Sequence, residues 1–162
     1  MSEVVLSLDQ ALKTTGYAVF ENETLIECGK FTINANATMG ERLASFKKEI
    51  LGLKESYNVD TIIFEQIQLQ NGNAKTFQHL AYVQAMLFYF CYQHNIKHEV
   101  YEASHWRKVL GGGFGRKRAE QKQKAIEIVL QKYQINVDSD IADAICIGCA
   151  YLKEKRNNQK GF

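Results

Sequence analysis

The strongest constraint on the fold is a pair of short apolar segments, each of which ends in an acidic residue. Residues 4–9 read VVLSLD and residues 61–65 read TIIFE, so both are nearly continuous rows of apolar side chains. Such rows are typical of strands that are covered on both faces, as in the parallel sheets of α/β proteins. The chain is therefore predicted to form a sheet flanked by helices, with Asp9 and Glu65 each ending a strand.

The remaining patterns complete an α/β order. Residues 15–20 and 24–29 are predicted as two strands joined by a turn at Asn22 and Glu23, the second strand extending as far as residue 33. Apolar residues at helical spacing predict further helices, with one short strand among them. These are helices 39–57, 73–94, 106–110 (capped by Ser104) and 117–131, strand 98–101, and a last helix capped by Asp138 or Asp140. The predicted fold is a five-stranded mixed sheet flanked by helices.

Length and hydropathy set the broad class. A chain of 162 residues fits one domain, which we place at residues 1–155, followed by a basic polar tail at 156–162. The longest apolar segments are well short of the roughly 20 residues that span a bilayer. The start of the chain also lacks the basic and apolar pattern of a signal peptide. We therefore expect no membrane association and a cytoplasmic location.

The four cysteines fit the same compartment. Cys146 and Cys149 form a C-x-x-C in the last predicted helix, a spacing found in redox and zinc sites. However, no second such pair and no histidine cluster accompanies them. The pattern therefore favours two small apolar side chains on a buried helix face, with all four thiols reduced.

Positive charge is concentrated in one part of the chain. The net charge is only +2, too small by itself to indicate a partner. Between residues 105 and 124, however, seven basic residues accompany a single acid, Glu120, and surround a glycine-rich loop at 111–115. The basic residues are Arg107, Lys108, Arg116, Lys117, Arg118, Lys122 and Lys124. Such a segment is suited to holding a polyphosphate backbone.

A second pair of acids opens the last predicted helix. Asp140 and Asp143 stand three residues apart, so they lie on one helix face, and the apolar run that follows packs that helix against the core. Crowded carboxylates at a buried edge need a cation to neutralise them. Asp9 and Glu65 are expected at the same place, because ligands in α/β sheets gather at the carboxyl ends of strands.

The chemistry of these four acids points to a divalent ion. Oxygen donors without histidine or thiolate favour Mg²⁺, with Mn²⁺ able to substitute. Two such ions can activate a water and stabilise the leaving oxygen in phosphodiester hydrolysis. Together with the basic segment, the acids predict a nuclease.

Three motifs carry a resemblance to a known family. The segments LDQALKTTGY (8–17), IFEQ (63–66) and DIADA (140–144) resemble the acidic motifs of RuvC-type Holliday junction resolvases, which have the RNase H-like fold. The order of elements is similar over nearly the whole chain. Within the family, the sequence most resembles the short versions encoded by bacteriophages, such as lactococcal phages. The resemblance implies a Mg²⁺-dependent homodimeric endonuclease of branched DNA that acts on four-way junctions, and it leaves forks open as a second substrate.

The resemblance also assigns roles to residues. Asp9, Glu65, Asp140 and Asp143 would be the catalytic metal ligands. Arg107 and Lys122 best match the family's basic positions, with Lys108 and Lys124 as near alternatives, and the long helix 73–94 would lie in the dimer interface. The surplus of apolar residues along that helix agrees with such an interface, although burial within a single chain would explain it equally well.

Three departures from the family pattern stand out. Many relatives read Asp-Pro-Gly where this chain has Asp9-Gln10-Ala11, so the turn is built differently. Gln68 occupies the place of an aromatic residue that inserts at the junction in bacterial members, which predicts relaxed sequence preference. The segment 111–118 is more basic and glycine-rich than expected, which would widen the range of branched DNA that is bound.

Other functions remain open from the sequence. The strand-end Asp9 and the Thr15-Gly16 hairpin also fit an actin-like nucleotide-binding ATPase or kinase, but those proteins need two such domains. An RNA-directed nuclease of the same fold, or an inactive DNA-structure binder, is a further alternative. The intact set of acids argues against inactivity.

Overall fold

The computed structural model describes residues 2–69 and 72–161. In this part of the chain five strands and five helices form. The strands are β1 (Val4–Asp9), β2 (Thr14–Glu21), β3 (Thr24–Thr32), β4 (Thr61–Glu65) and β5 (Lys97–Tyr101). The helices are α1 (Met39–Tyr57), α2 (Ala74–Gln93), α3 (Ala103–Val109), α4 (Arg118–Tyr133) and α5 (Ser139–Gln159).

The strands form one mixed sheet in the order β3-β2-β1-β4-β5. The strands β1, β2 and β3 are antiparallel neighbours, whereas β4 is parallel to β1 and β5 is parallel to β4. Asn22 and Glu23 both have positive φ angles, 48° and 69°, as a tight two-residue hairpin turn requires. The predicted five-stranded mixed sheet and its hairpin are confirmed.

Each face of the sheet is covered by its own apolar core. On one face Trp106, Phe114 and Ile145 belong to a core that α3, α4 and α5 build. On the other face Phe46 of α1 and Leu87 of α2 pack over the sheet. The β1 strand feeds both cores with alternate side chains, which is why its sequence is apolar at nearly every position.

Two glycines allow α5 to lie unusually close to the sheet. A side chain at Gly16 would overlap the backbone of Asp140, and one at Gly148 would overlap the ring of Phe20. Between these two contacts, the Ser7 hydroxyl donates to the Ala144 carbonyl at 2.6 Å. The first turn of α5 is therefore held against β1 and β2.

The cysteine pair lies within this buried helix. Cys146 and Cys149 are both free and buried, and the Cys146 thiol faces the carbonyl of Ala125 at 3.9 Å. Burial raises the pKa of the Cys146 thiol, so it stays protonated. These observations agree with the prediction of small apolar side chains.

Several element boundaries differ from the prediction. The helix predicted at 106–110 with a Ser104 cap begins earlier, because the amides of His105 and Trp106 both donate to the Glu102 carbonyl; the Ser104 prediction is wrong. Asp138, rather than Asp140, caps α5 by accepting from the Ile141 amide at 3.1 Å. The α5 helix runs on to Gln159, so it includes residues 156–159 of the predicted tail.

The long helix α2 has a sheet-facing side and a bare side. Val83, Leu87 and Phe90 are buried against the sheet. On the other side large aromatic side chains are exposed, namely Tyr82, Phe88, Tyr89 and Tyr92. The helix is therefore not wholly buried within a single chain, because Phe88 and the three tyrosines stay exposed. In the described ranges, none of the helices has the length and hydropathy needed to cross a membrane.

Candidate active site

Asp9 and Glu65 end two neighbouring parallel strands. The strands pair in register up to Leu8 and Phe64, so the next residue of each strand carries an acid at the same edge of the sheet. Both side chains are partly buried. The topology thus brings together two acids that are 56 positions apart in the chain.

The Gln10 side chain links the ends of these two strands. Its side-chain Oε1 accepts from the Glu65 amide at 3.1 Å, and its Nε2 donates to the Glu65 carbonyl at 2.5 Å. The buried amide therefore pairs with the Glu65 backbone as a further strand residue would. This pairing extends the β1–β4 ladder by one step beyond the last strand residue of β1.

The first turn of α5 supplies the other two acids. Asp138 caps the helix and also forms an ion pair with Lys30 of β3, which ties the start of the helix to the sheet. Asp140 and Asp143 then lie on the face that looks toward the strand ends. Asp9, Glu65, Asp140 and Asp143 line one pocket of about 530 Å³.

Basic side chains line the same pocket. They are Arg107 of α3, Arg116 of the connecting loop, and Arg118 and Lys122 of α4. An adjoining depression of about 240 Å³ shares Asp9, Glu65, Asp140 and Arg118 and is also lined by Gln68. The pocket therefore brings four basic side chains together with the four acids.

The other predicted basic residues lie elsewhere. Lys108 and Lys117 are exposed and line neither depression among the described residues, and Lys124 lines a separate depression beside Phe114. Lys108 and Lys124, the near alternatives from the resemblance, do not line the acid pocket, whereas Arg107 and Lys122 both do. A role for Lys108, Lys117 or Lys124 in DNA binding stays a prediction.

Burial and mutual repulsion destabilise the charged forms of the acids in this pocket. Burial is the main cause that raises the pKa of Asp9, and Asp143, Glu65 and Asp140 raise it further, while Lys122 opposes them. Burial and the Glu65 charge raise the pKa of Asp143 to about 7, against Arg107 and Lys122. Carboxylates with such pKa values are typical of functional sites.

The pKa of Glu65 is under opposing influences. Burial raises its pKa, whereas a hydrogen bond from Trp106 and the charge of Arg107 lower it. The indole Nε1 of Trp106 donates to Glu65 Oε2 at 2.8 Å. Trp106 itself is fully buried in the core between α3 and α5.

The donor set fits a hard divalent cation. Among the described residues the pocket presents carboxylate oxygens without thiolate or imidazole, and such groups suit Mg²⁺ and Mn²⁺. As the side chains stand, the described residues hold no group of three or more His, Cys, Asp or Glu already drawn together as metal ligands. A bound cation would offset the repulsion between these carboxylates.

Sequence reasoning missed two residues of this site. The sequence marks Gln10 only as a departure from Asp-Pro-Gly, and it places Trp106 only at the start of a short predicted helix. A buried polar group must find a partner, so the position of Gln10 directly after a strand-end acid was the available signal. For Trp106 only tertiary structure shows that its N–H faces an acid 41 positions away.

Comparison with known proteins agrees with this geometry. The profile of the family described as "Crossover junction endodeoxyribonuclease RuvC" matches residues 5–151. RuvC of Dictyoglomus thermophilum is 26% identical over 153 residues, covering 92% of this chain and 96% of the relative. RuvC of Ehrlichia ruminantium (strain Welgevonden) is 29% identical over 155 residues, covering 91% and 95%.

Solved structures share the fold. Thermus thermophilus RuvC in complex with a Holliday junction substrate superposes with a TM-score of 0.78 at 12% identity, covering 96% of both chains. The Fowlpox virus resolvase bound to Holliday junction DNA gives a TM-score of 0.59 at 19% identity, covering 94% of this chain and 98% of that one. The RNase H-like fold is thus confirmed. With its profile match over residues 5–151, the chain belongs to the RuvC family of crossover junction endodeoxyribonucleases.

Proposed function

We propose that the protein is a structure-specific endonuclease that resolves Holliday junctions, and accepts other branched DNA, by metal-dependent hydrolysis of phosphodiester bonds. The observation that carries this proposal is the convergence of four carboxylates from β1, β4 and α5 in one pocket that four basic side chains also line. Carboxylates next to basic side chains suit a substrate such as DNA, whose phosphates carry negative charge and also bind divalent ions.

Each group has a task in this scheme. Asp9, Glu65, Asp140 and Asp143 would hold Mg²⁺, or Mn²⁺ in its place, and the bound ions would supply an activated water and neutralise the leaving oxygen. Arg107, Arg116, Arg118 and Lys122 would hold the backbone phosphates on either side of the reacting bond. Asp143 must lose its proton before it can act as a ligand, so the reaction needs a pH at which that carboxylate is charged.

The bare face of α2 supports a homodimer. Tyr82, Phe88, Tyr89 and Tyr92 expose aromatic surface that a second copy of the chain would cover. A dimer would present two acid pockets to one four-way junction and allow two strands to be nicked. The absence of an aromatic side chain at Gln68 supports relaxed sequence preference in this reaction. Because such DNA is found in the bacterial cytoplasm, the protein would act there. Residues 1–155 would form the nuclease domain.

A cleavage panel tests the proposal. The protein is incubated with Mg²⁺ and, in parallel, with a mobile four-way junction, a fork, a linear duplex and an RNA–DNA hybrid of the same sequence. We expect symmetrical nicks in the junction, weaker cleavage of the fork and little of the duplex. Cleavage confined to the RNA strand of the hybrid would favour the RNA-directed alternative instead. Thermal stabilisation by ATP but not by junction DNA would favour the actin-like alternative.

A further inference from the structure

Trp106 is the only tryptophan in the chain, and the one polar group of its side chain, the indole N–H, bonds an acid of the pocket. The residue lies on α3, fully buried, and its indole Nε1 donates to Glu65 Oε2 at 2.8 Å. An aliphatic side chain or phenylalanine would serve packing alone in this core. The indole adds a directed N–H, which a buried tryptophan must pair with an acceptor.

The hydrogen bond orients the acid at the end of β4. Gln10 already holds the Glu65 backbone, so the indole fixes the remaining freedom, which is the rotation of the side chain. It occupies one carboxylate oxygen, and none of the described residues donates to the other, Oε1. Oε1 is therefore open to a cation in the pocket.

The same side chain also holds a cation next to the acid. The Arg107 guanidinium lies 5.0 Å from the Trp106 ring and 5.9 Å from the Phe114 ring, and the two rings meet edge-on at 5.4 Å. Among the described residues the buried Nε of Arg107 has no hydrogen-bond partner, so the aromatic faces position this group. Arg107 lines the pocket beside Glu65 and Asp143.

We infer that Trp106 is a positioning residue for the reaction: its indole N–H orients Glu65 toward the divalent ion while its ring holds Arg107 beside the same carboxylate. The inference rests on the proposed function, because it takes Glu65 as a metal ligand. Partners that fix a ligating side chain from behind typically change metal affinity or activity by roughly 10–100-fold when removed.

The first experiment needs no change at Trp106. With one tryptophan, the ¹⁵N-labelled protein has one indole N–H signal in its NMR spectrum, and that signal reports the hydrogen bond directly. Glu65→Gln should shift it strongly, whereas Asp140→Asn, a change in the same pocket but not at the acceptor, should leave it nearly in place. Mg²⁺ added to the unsubstituted protein should also shift it. An indole signal that Glu65→Gln does not move would overturn the inference.

The second experiment separates positioning from packing. Trp106→Phe removes the N–H and keeps an aromatic ring, and Phe20→Leu removes aromatic volume from the same core without touching Glu65. Mn²⁺ affinity is measured by the EPR signal of the free ion, alongside kcat and KM for junction cleavage. We expect Trp106→Phe to weaken Mn²⁺ binding about 10-fold or more and to lower kcat with little change in KM. Equal losses in both variants would overturn the inference.

The two proposals fail differently. If the indole signal responds to Glu65→Gln but not to Mg²⁺, Glu65 is not a ligand, and the proposed metal site fails together with the positioning role. If Mg²⁺ shifts the signal but Trp106→Phe binds Mn²⁺ as tightly as the parent, the metal site stands and only the positioning role is lost.

Discussion

Gly16 of β2 lies directly against the backbone of Asp140 at the start of α5, and a methyl group at residue 16 would overlap the Asp140 carbonyl. Because Gly16 is also the cross-strand partner of Asp9, this contact sets the separation between the acid on β1 and the acids on α5. The absence of a side chain at one position thus decides whether the pocket can form.

Gly16→Ala should displace the first turn of α5. We expect a loss of about 1–3 kcal/mol in the free energy of unfolding, as for other overpacked sites, together with a sharp fall in cleavage. Urea denaturation and a junction cleavage assay measure the two effects. Gly40→Ala is the matched control, because a side chain there would meet none of the described residues within 4 Å and alanine favours the helix. Equal stability of the two variants would contradict the proposed contact.

Gln10→Leu should uncouple the ends of β1 and β4. The change leaves the Glu65 N–H buried without its partner, at an expected cost of about 1–3 kcal/mol, and it should weaken Mn²⁺ binding because Asp9 and Glu65 are no longer held in register. Gln84→Leu is the comparison. That buried side chain bonds Gln66 and the Ile67 amide rather than Glu65, so its loss should reduce stability but preserve Mn²⁺ affinity. Unchanged Mn²⁺ affinity in Gln10→Leu would count against the role of Gln10.

Stability of the metal-free protein should depend on the charge of Asp143. Its pKa rises from an ordinary value of 3.8 to about 7 on folding, so the folded state binds the proton more tightly. The stabilisation is therefore complete below pH 3.8 and is lost as the pH rises through about 7. The carboxylate is then charged and repelled by its neighbours.

Asp143→Asn removes this titration. The gain in melting temperature of the variant over the parent should increase between about pH 5 and pH 8, and Mg²⁺ should erase much of that gain by stabilising the parent alone. Thermal melts in chelator and in Mg²⁺ across this range make the comparison. A gain that does not vary with pH would show that Asp143 is not the group involved.

Asp9→Asn should abolish cleavage while junction binding survives. The substitution keeps the shape of the side chain and removes one charge from the site that would hold the ions, whereas the basic residues that hold the backbone are untouched. A gel-shift assay in Ca²⁺ and a cleavage assay in Mg²⁺ separate the two properties. If binding and cleavage disappear together, Asp9 has a role in folding.

Arg118→Ala should make DNA binding less sensitive to salt. Arg118 lines both depressions of the acid pocket, so it is well placed to contact a phosphate. Its loss should reduce the slope of log affinity against log salt by about 0.9, the change expected for one phosphate contact. Lys54→Ala is the control, since Lys54 lies in a different depression that Asn58 and Asn95 also line. Identical slopes would remove Arg118 from the interface.

The sequence predicts the strands and the helix faces that carry the acids, but not the contacts between distant residues that shape the site. The apolar run before Asp9 and the one before Glu65 predict two buried strands, because short, continuous apolar runs are typical of strands that are covered on both faces. The spacing of Asp140 and Asp143 places them on one helix face by the geometry of the helix alone. These local rules identify all four acids of the pocket.

Contacts between distant residues required the tertiary structure. The separation of the acids depends on Gly16 admitting the backbone of Asp140, and the orientation of Glu65 depends on Gln10 and Trp106. Helical spacing puts Lys122 and Lys124 on different faces of α4, and the packing of α4 against α5 places Lys122 in the pocket. Sequence periodicity determines which face of an element a residue occupies, but the distance between two elements is decided by the side chains that pack between them.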